Sequence, residues 1–152
     1  MKNLLLILAF VASMLAVKAQ ENKPTFGETV IWVESKYQSL SPDNWYIRVL
    51  DDGIYYTCDN NCSVQEQKGW KYVTDVTYYK TDKGEYAIRV PSGQGFSEHF
   101  STGEPIQSAH TCLTFYVKKN TSEMDVQKLI KALKHIATLK GAKLIDDNLF
   151  GN

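Results

Sequence analysis

An excess of charge of either sign is what this sequence most clearly lacks. Its 152 residues include 17 lysines and arginines and 17 aspartates and glutamates, so the formal net charge at pH 7 is zero. A nucleic-acid-binding protein carries a basic patch or stripe that neutralises phosphates. The balanced composition contains no such signature, and we expect no nucleic-acid partner.

The sequence also lacks the motifs of familiar enzyme classes. A serine hydrolase places its nucleophile in Gly-x-Ser-x-Gly between a strand and a helix, and Ser97 and His99 occur in neither that spacing nor that context. The glycines of the same segment are not followed by the Gly-Lys-Ser/Thr sequence of a phosphate-binding loop. We therefore predict no catalytic residues and no cofactor, and an enzyme is not the favoured function.

Long apolar runs are absent after the first 20 residues. Leu4 to Val17 form an apolar segment of the length found in signal peptides. Val17 and Ala19 are small residues at positions −3 and −1 of a predicted cleavage point after Ala19. A bilayer span needs about 20 apolar residues, which disfavours a membrane anchor. We predict a signal peptide over residues 1–19 and a single secreted or periplasmic domain over residues 20–152, without a membrane span in the mature chain.

Helical patterns are present near both ends of this domain. Thr25 and Glu28 match a capping box, which precedes an apolar stripe of helical spacing formed by Phe26, Val30, Val33 and Tyr37. Towards the C-terminus, Ser122 is the predicted N-cap of an amphipathic helix that stops at Gly141. The polar side of that helix carries Lys128, Lys131, Lys134 and His135. We interpret it as a solvated surface, and a basic docking face is the alternative.

Strand patterns occupy the middle of the chain. Residues 45–50 and 54–58 flank the turn Asp51-Asp52-Gly53 and predict a hairpin. Further strands are predicted over 70–80, 85–90 and 111–117, and one long loop over 91–110. The predicted fold class is α+β: an antiparallel β-sheet or partly open barrel with an N-terminal helix and a C-terminal amphipathic helix.

The opening "TFGETVIWVESK", the aromatic strands and the closing "VQKLIKALKHIATLKGAKLIDDNLF" resemble small hypothetical exported proteins of the Bacteroidetes group. The resemblance covers most of the mature chain and rests on layout rather than on a catalytic motif. It implies this arrangement of elements and a bacterial origin, and it implies no activity.

Cysteine is scarce, with three residues in the chain. Cys58 and Cys62 flank Asp-Asn-Asn, which is strong turn-forming sequence. A tight turn brings two Cα atoms within the roughly 4.4–6.8 Å that a disulfide requires, and an exported protein meets an oxidising compartment. We predict a local Cys58–Cys62 disulfide, with a long-range disulfide from Cys112 to either cysteine as an open alternative.

The cysteines also suggest a second chemistry. On a strand, His110 and Cys112 point to one face, and with Cys58 and Cys62 they supply the ligand types of a zinc or copper site. The spacing lacks the paired Cys-x-x-Cys pattern typical of zinc sites. A thiol- or metal-dependent protein using these four residues is therefore the alternative function.

Aromatic residues are abundant, with nine tyrosines and three tryptophans. Two adjacent pairs, Tyr55-Tyr56 and Tyr78-Tyr79, lie in predicted strands, where neighbouring side chains point to opposite faces. One member of each pair is exposed unless helices cover both faces. Exposed aromatics contact sugar rings, peptides or proteins at low entropic cost. We predict a binding or interaction module that uses these four tyrosines for an unidentified protein, peptide or glycan.

Overall fold

A computed structural model describes residues 23–42, 45–58, 63–93, 97–100, 105–107 and 112–145. Within these ranges the chain forms two α-helices, eight β-strands and one 3₁₀-helix. In chain order they are α1 (Phe26–Leu40), β1 (Trp45–Val49), β2 (Gly53–Cys58), β3 (Ser63–Lys68), the 3₁₀-helix (Trp70–Tyr72), β4 (Thr77–Lys80), β5 (Tyr86–Pro91), β6 (Ser97–Phe100), β7 (Pro105–Gln107), β8 (Cys112–Val117) and α2 (Glu123–Leu139).

The strands form two antiparallel sheets. The first sheet has the order β1-β2-β3-β6-β7, and the second has the order β4-β5-β8. The described strands do not close into a barrel. The predicted α+β layout, with antiparallel sheets and a helix towards each end, is confirmed.

Helix α1 begins at the predicted capping box. The Glu28 N–H donates to Thr25 Oγ1 at 3.3 Å, and the Thr25 N–H donates to Glu28 Oε2 at 2.8 Å. The hydrogen bonds that the Thr25 N–H and hydroxyl donate to the Glu28 carboxylate lower its pKa. Val33 and Tyr37 are fully buried, while Phe26 and Val30 pack against the edge of the core, so the apolar stripe faces inward as predicted.

Helix α2 also follows its sequence signals. Ser122 Oγ accepts from the Asp125 N–H at 3.1 Å, and Gly141, with φ of 85°, follows the helix in the left-handed conformation that favours glycine. The buried face of α2 carries six residues: Val126, Leu129, Ile130, Leu133, Ile136 and Ala137.

The two helices pack antiparallel to each other. Lys36 Nζ lies 2.8 Å from Asp125 Oδ1 at one end of the pair, and His135 Nε2 lies 2.8 Å from the Pro24 carbonyl oxygen at the other. Helix α1 also contacts β1, where Glu34 Oε1 accepts from the Val49 N–H at 2.7 Å.

An aromatic cluster joins α1 to both sheets. Tyr37 is fully buried, and its hydroxyl donates to the Tyr116 carbonyl oxygen at 2.8 Å. The Tyr37 ring meets Phe115 of β8 edge-on at 5.2 Å and Tyr56 of β2 at 6.3 Å between centroids. Trp45 of β1 stacks on Tyr56 at 4.5 Å. Aromatic pairs in these geometries add to the stabilisation from apolar burial.

The predicted strand over 70–80 is wrong in its first part. Trp70–Tyr72 form a 3₁₀-helix that follows Gly69, whose φ is 74°. The Trp70 side chain is 2 % exposed, and its indole N–H donates to the Leu50 carbonyl oxygen at 2.9 Å. Burying a large aromatic together with its polar N–H favours this turn over an extended strand. Within the predicted range, the residues that form a strand are those of β4, Thr77–Lys80.

The predicted loop over 91–110 is also wrong where the structure describes it. This segment contains β6 and β7, and β6 pairs with β3, which the sequence analysis did not predict. The sequences "SVQEQK", "SEHF" and "PIQ" are short and show no alternation of apolar and polar residues. Their strand structure comes from pairing with distant segments, which local patterns do not report.

We expect Tyr37→Phe to destabilise the fold by about 1–2 kcal/mol, because it removes the hydroxyl that bonds the Tyr116 carbonyl while keeping the ring. Urea denaturation of the wild type and the variant measures this difference. Tyr46→Phe, at a half-buried position of β1, is the matched control and is expected to stay within about 0.5 kcal/mol. Equal effects at the two positions would contradict the assigned role of Tyr37.

The cluster also predicts a loss of stability in alkali. Burial raises the pKa of Tyr56 to about 12, and burial beside Tyr56 raises the pKa of Tyr37 well above its ordinary value. Unfolded tyrosines lose their protons near pH 10. The stabilisation from the neutral hydroxyls is therefore complete below about pH 10 and is lost as the pH rises towards 12.

Denaturation midpoints at pH 9, 10 and 11 test this dependence. Above about pH 10, each buried tyrosine lowers the free energy of unfolding by up to about 1.4 kcal/mol per pH unit. Tyr56→Phe removes one such group, so its stability is expected to fall less steeply above pH 10. A slope identical to that of the wild type would show that Tyr56 titrates normally in the folded protein.

Candidate functional site

The predicted tyrosines lie on two different sheets. Tyr55 and Tyr56 are in β2 of the first sheet, and Tyr78 and Tyr79 are in β4 of the second. Tyr56 is 4 % exposed and belongs to the aromatic cluster, whereas Tyr55 is half-buried. The structure does not bring the two pairs together, and each has to be assessed on its own.

Tyr78 is turned towards helix α2. Its hydroxyl donates to Glu123 Oε1 at 2.7 Å and accepts from Gln127 Nε2 at 3.2 Å. Its ring lies 5.9 Å from that of Tyr86. These contacts attach the first turns of α2 to the second sheet, so Tyr78 has a structural role.

Tyr79 belongs to an exposed row that crosses the second sheet. Tyr79 pairs with Ala87 of β5, and Ala87 pairs with Tyr116 of β8, so the three side chains point to one face. Tyr79 is 48 % exposed and Tyr116 is 38 % exposed, while Ala87 is buried between them. With strands about 4.8 Å apart, the two tyrosines are anchored roughly 10 Å from each other. We call these three residues the tyrosine row.

Polar side chains border the tyrosine row. The neighbouring positions on the same face are Thr77, Arg89 and Thr114. Arg89 Nε donates to Cys112 Sγ at 3.3 Å, and this hydrogen bond raises the pKa of Arg89. The guanidinium is therefore positively charged and held at a fixed place beside the row.

Two shallow cavities meet at Tyr116 and Glu85. One has a volume of about 350 Å³ and is also lined by Trp45 and Thr114. The other has a volume of about 450 Å³ and is also lined by residues of the β4–β5 turn, Thr81, Asp82 and Lys83. The Glu85 N–H donates to Thr81 Oγ1 at 3.2 Å, which fixes the backbone that carries the carboxylate. The edge of the tyrosine row thus combines aromatic rings with carboxylate, ammonium and hydroxyl groups.

Sequence reasoning missed Tyr116, Glu85 and Trp45 as site residues. The alternation of β8 did contain a signal for Tyr116, because Leu113, Phe115 and Val117 are fully buried on the opposite face. The pairing of Tyr116 with Ala87, and through it with Tyr79, depends on the register of three strands that are distant in sequence.

Of the two cysteines that the structure describes, Cys112 is a free thiol. The alternative of a long-range disulfide from Cys112 is therefore wrong. Cys58 is the last residue of β2, and Cys62 lies outside the described residues. The Cys58–Cys62 disulfide stays a prediction.

The alternative metal site falls partly outside the structure's description, since His110 and Cys62 are not among the described residues. In the part of the chain that is described, no three His, Cys, Asp or Glu side chains are grouped to hold a metal ion. The thiol- or metal-dependent function stays a prediction. The signal peptide also lies outside the described residues, and no described helix has the length and apolar character to cross a membrane.

Comparison with protein-family models, with curated proteins and with solved structures finds no match to this chain. The resemblance to exported Bacteroidetes proteins stays a prediction.

After denaturation without a reducing agent we expect one reactive thiol per chain, because Cys112 is free and the predicted local disulfide engages the other two cysteines. Quantitative thiol labelling of the purified protein measures this number, and Cys112→Ser is expected to reduce it to zero. Three thiols, or a bound metal ion found by elemental analysis, would favour the alternative function instead.

Proposed function

We propose that the protein is an exported glycan-binding module whose tyrosine row stacks against saccharide rings. The observation that carries this proposal is the position of Tyr116. Its exposed ring lies in one row with Tyr79 and also lines both cavities that contain Glu85.

A saccharide matches the two kinds of surface present at this place. The C–H face of a sugar ring packs on an aromatic ring, which offers large contact area at low conformational cost. The hydroxyl groups of the sugar need hydrogen-bonding partners when they leave water. Glu85, Asp82 and Thr114 supply acceptors, and Lys83 supplies a donor, around the ring of Tyr116.

The backbone that carries the tyrosine row is held by the core. The Tyr116 carbonyl accepts from the buried Tyr37 hydroxyl, and its chain neighbours Phe115 and Val117 are fully buried. A surface with a fixed backbone loses little freedom when a ligand binds. This rigidity favours a binding role for the row over an incidental exposure of two tyrosines.

A glycan is favoured over a protein partner by size. Stable protein–protein interfaces bury about 800 Å² on each partner, whereas the tyrosine row offers two exposed rings and one buried alanine. The cavities, at about 350 and 450 Å³, lie at the lower end of the range of small-molecule sites. The predicted signal peptide also supports this function, because export brings a protein to extracellular glycans.

A glycan array probed with the labelled exported protein tests the proposal. We expect binding to a defined set of glycans and a loss of about 10-fold or more in the double variant Tyr79→Ala/Tyr116→Ala, because two aromatic contacts are removed. Glu85→Gln is expected to weaken the same signals while keeping the side-chain volume.

The matched control is Tyr46→Ala, which removes a tyrosine from the first sheet, outside both cavities. Circular dichroism melts of all variants check that they fold. Unchanged array binding by a folded Tyr79→Ala/Tyr116→Ala protein, or the absence of any glycan signal for the wild type, would refute this function.

A further inference from the structure

A larger cavity lies between the two helices, away from the residues of the tyrosine row. Its volume is about 890 Å³. Pro24 and Trp32 line it on the side of α1, and Lys128, Lys131, Ala132 and His135 line it on the side of α2. We call this cavity the helix groove.

The helix groove leaves a large aromatic side chain partly open to solvent. Trp32 is 41 % exposed, although Val33 next to it is fully buried in the core. Tryptophan is costly to leave in water and is enriched at binding surfaces. Pro24 and Ala132 extend the apolar lining around Trp32.

Lysines outnumber carboxylates in the lining of the groove, where Lys23, Lys128 and Lys131 occur with one acidic residue, Glu28. Lys36, Lys134 and Lys140 each form an ion pair, with Asp125, Asp75 and Asp51 respectively. In contrast, Lys128 and Lys131 form no ion pair with the part of the chain that the structure describes. The two unpaired ammonium groups lie one turn apart on the same face of α2.

The acidic residue of the groove lining offsets only one of the three lysine charges. Glu28 is held by the capping box, where it accepts from both the N–H and the hydroxyl of Thr25 at 2.8 Å. These hydrogen bonds favour the ionised carboxylate, and the three lysines still leave the groove lining with an excess of positive charge. The ends of the groove are fixed by His135 on the Pro24 carbonyl and by Lys36 on Asp125.

We propose that the helix groove binds an anionic amphiphile, an acyl chain that ends in a carboxylate. The chain packs on Trp32 and Ala132, and the carboxylate lies at Lys128 and Lys131. Charge complementarity selects the anionic head, and the apolar lining selects the chain. A volume of about 890 Å³ accommodates a ligand of this size class. This assigns a role to the lysines that the sequence analysis interpreted as a solvated surface.

Isothermal titration calorimetry of the purified mature protein with dodecanoate, kept below its micellar concentration, tests the proposal. We expect saturable binding that weakens roughly 10-fold in Lys128→Gln/Lys131→Gln, at about 3-fold for each ion pair with the carboxylate. Trp32→Ala is expected to weaken binding further. Lys118→Gln/Lys119→Gln removes two charges from the exposed turn before α2 and is expected to leave binding unchanged.

Two further probes discriminate between occupants. Dodecyltrimethylammonium has the same chain with a cationic head and is expected to bind far more weakly than dodecanoate. Hexaglutamate carries the charge without the chain, and binding of this peptide in the absence of dodecanoate binding would overturn the proposal. Unchanged affinity of a folded Lys128→Gln/Lys131→Gln protein for dodecanoate would also overturn the proposal. Equal affinity for dodecanoate and dodecyltrimethylammonium would do the same. Because none of these substitutions touches the tyrosine row, the result is independent of the glycan test.

Discussion

The hydrogen bond from the Tyr37 hydroxyl to the Tyr116 carbonyl connects the helical layer to the sheets, and much of the remaining architecture depends on it. Tyr37 ends the inward stripe of α1, and its ring lies against Tyr56 of the first sheet and Phe115 of the second. A phenol buried in this position has to find an acceptor, because an unpaired polar group in the core costs more than the bond returns. The carbonyl of β8 is that acceptor. The same contact therefore satisfies the tyrosine and fixes the position of β8 beneath α1.

Tyr116 has both a structural and a surface role in the second sheet. Its backbone carbonyl accepts from the buried Tyr37 hydroxyl, while its exposed ring forms the tyrosine row with Tyr79 and Ala87. The proposed binding surface thus lies on strands whose other face, which carries Ile88, Phe115 and Val117, is fully buried. The helix groove has an analogous relation to α1, where Val33 faces the core and Trp32 faces the groove. In both places, one of two adjacent residues packs in the core and the other lines a surface that we propose to bind a ligand.

The parts of the fold that local patterns encode were predictable from the sequence. The capping box at Thr25 and the apolar faces of α1 and α2 follow from spacing alone, as does the β1–β2 hairpin. Strands β3, β6 and β7 were not predictable, because their sequences lack alternation and they exist through long-range pairing. For the site, the tyrosine pairs indicated that one member of each pair points away from the core. They did not identify Tyr116 as the partner of Tyr79, because that depends on the register of β4, β5 and β8.

Amide NMR can locate the saccharide that we propose to bind on the tyrosine row. ¹⁵N-labelled protein is titrated with the strongest ligand from the glycan array, and shift changes are assigned along the chain. We expect saturable changes centred on Tyr79, Glu85, Ala87 and Tyr116, with the amides around Trp32 unaffected. Changes centred on the helix groove or on the β1–β2 hairpin, with the second sheet unaffected, would contradict it.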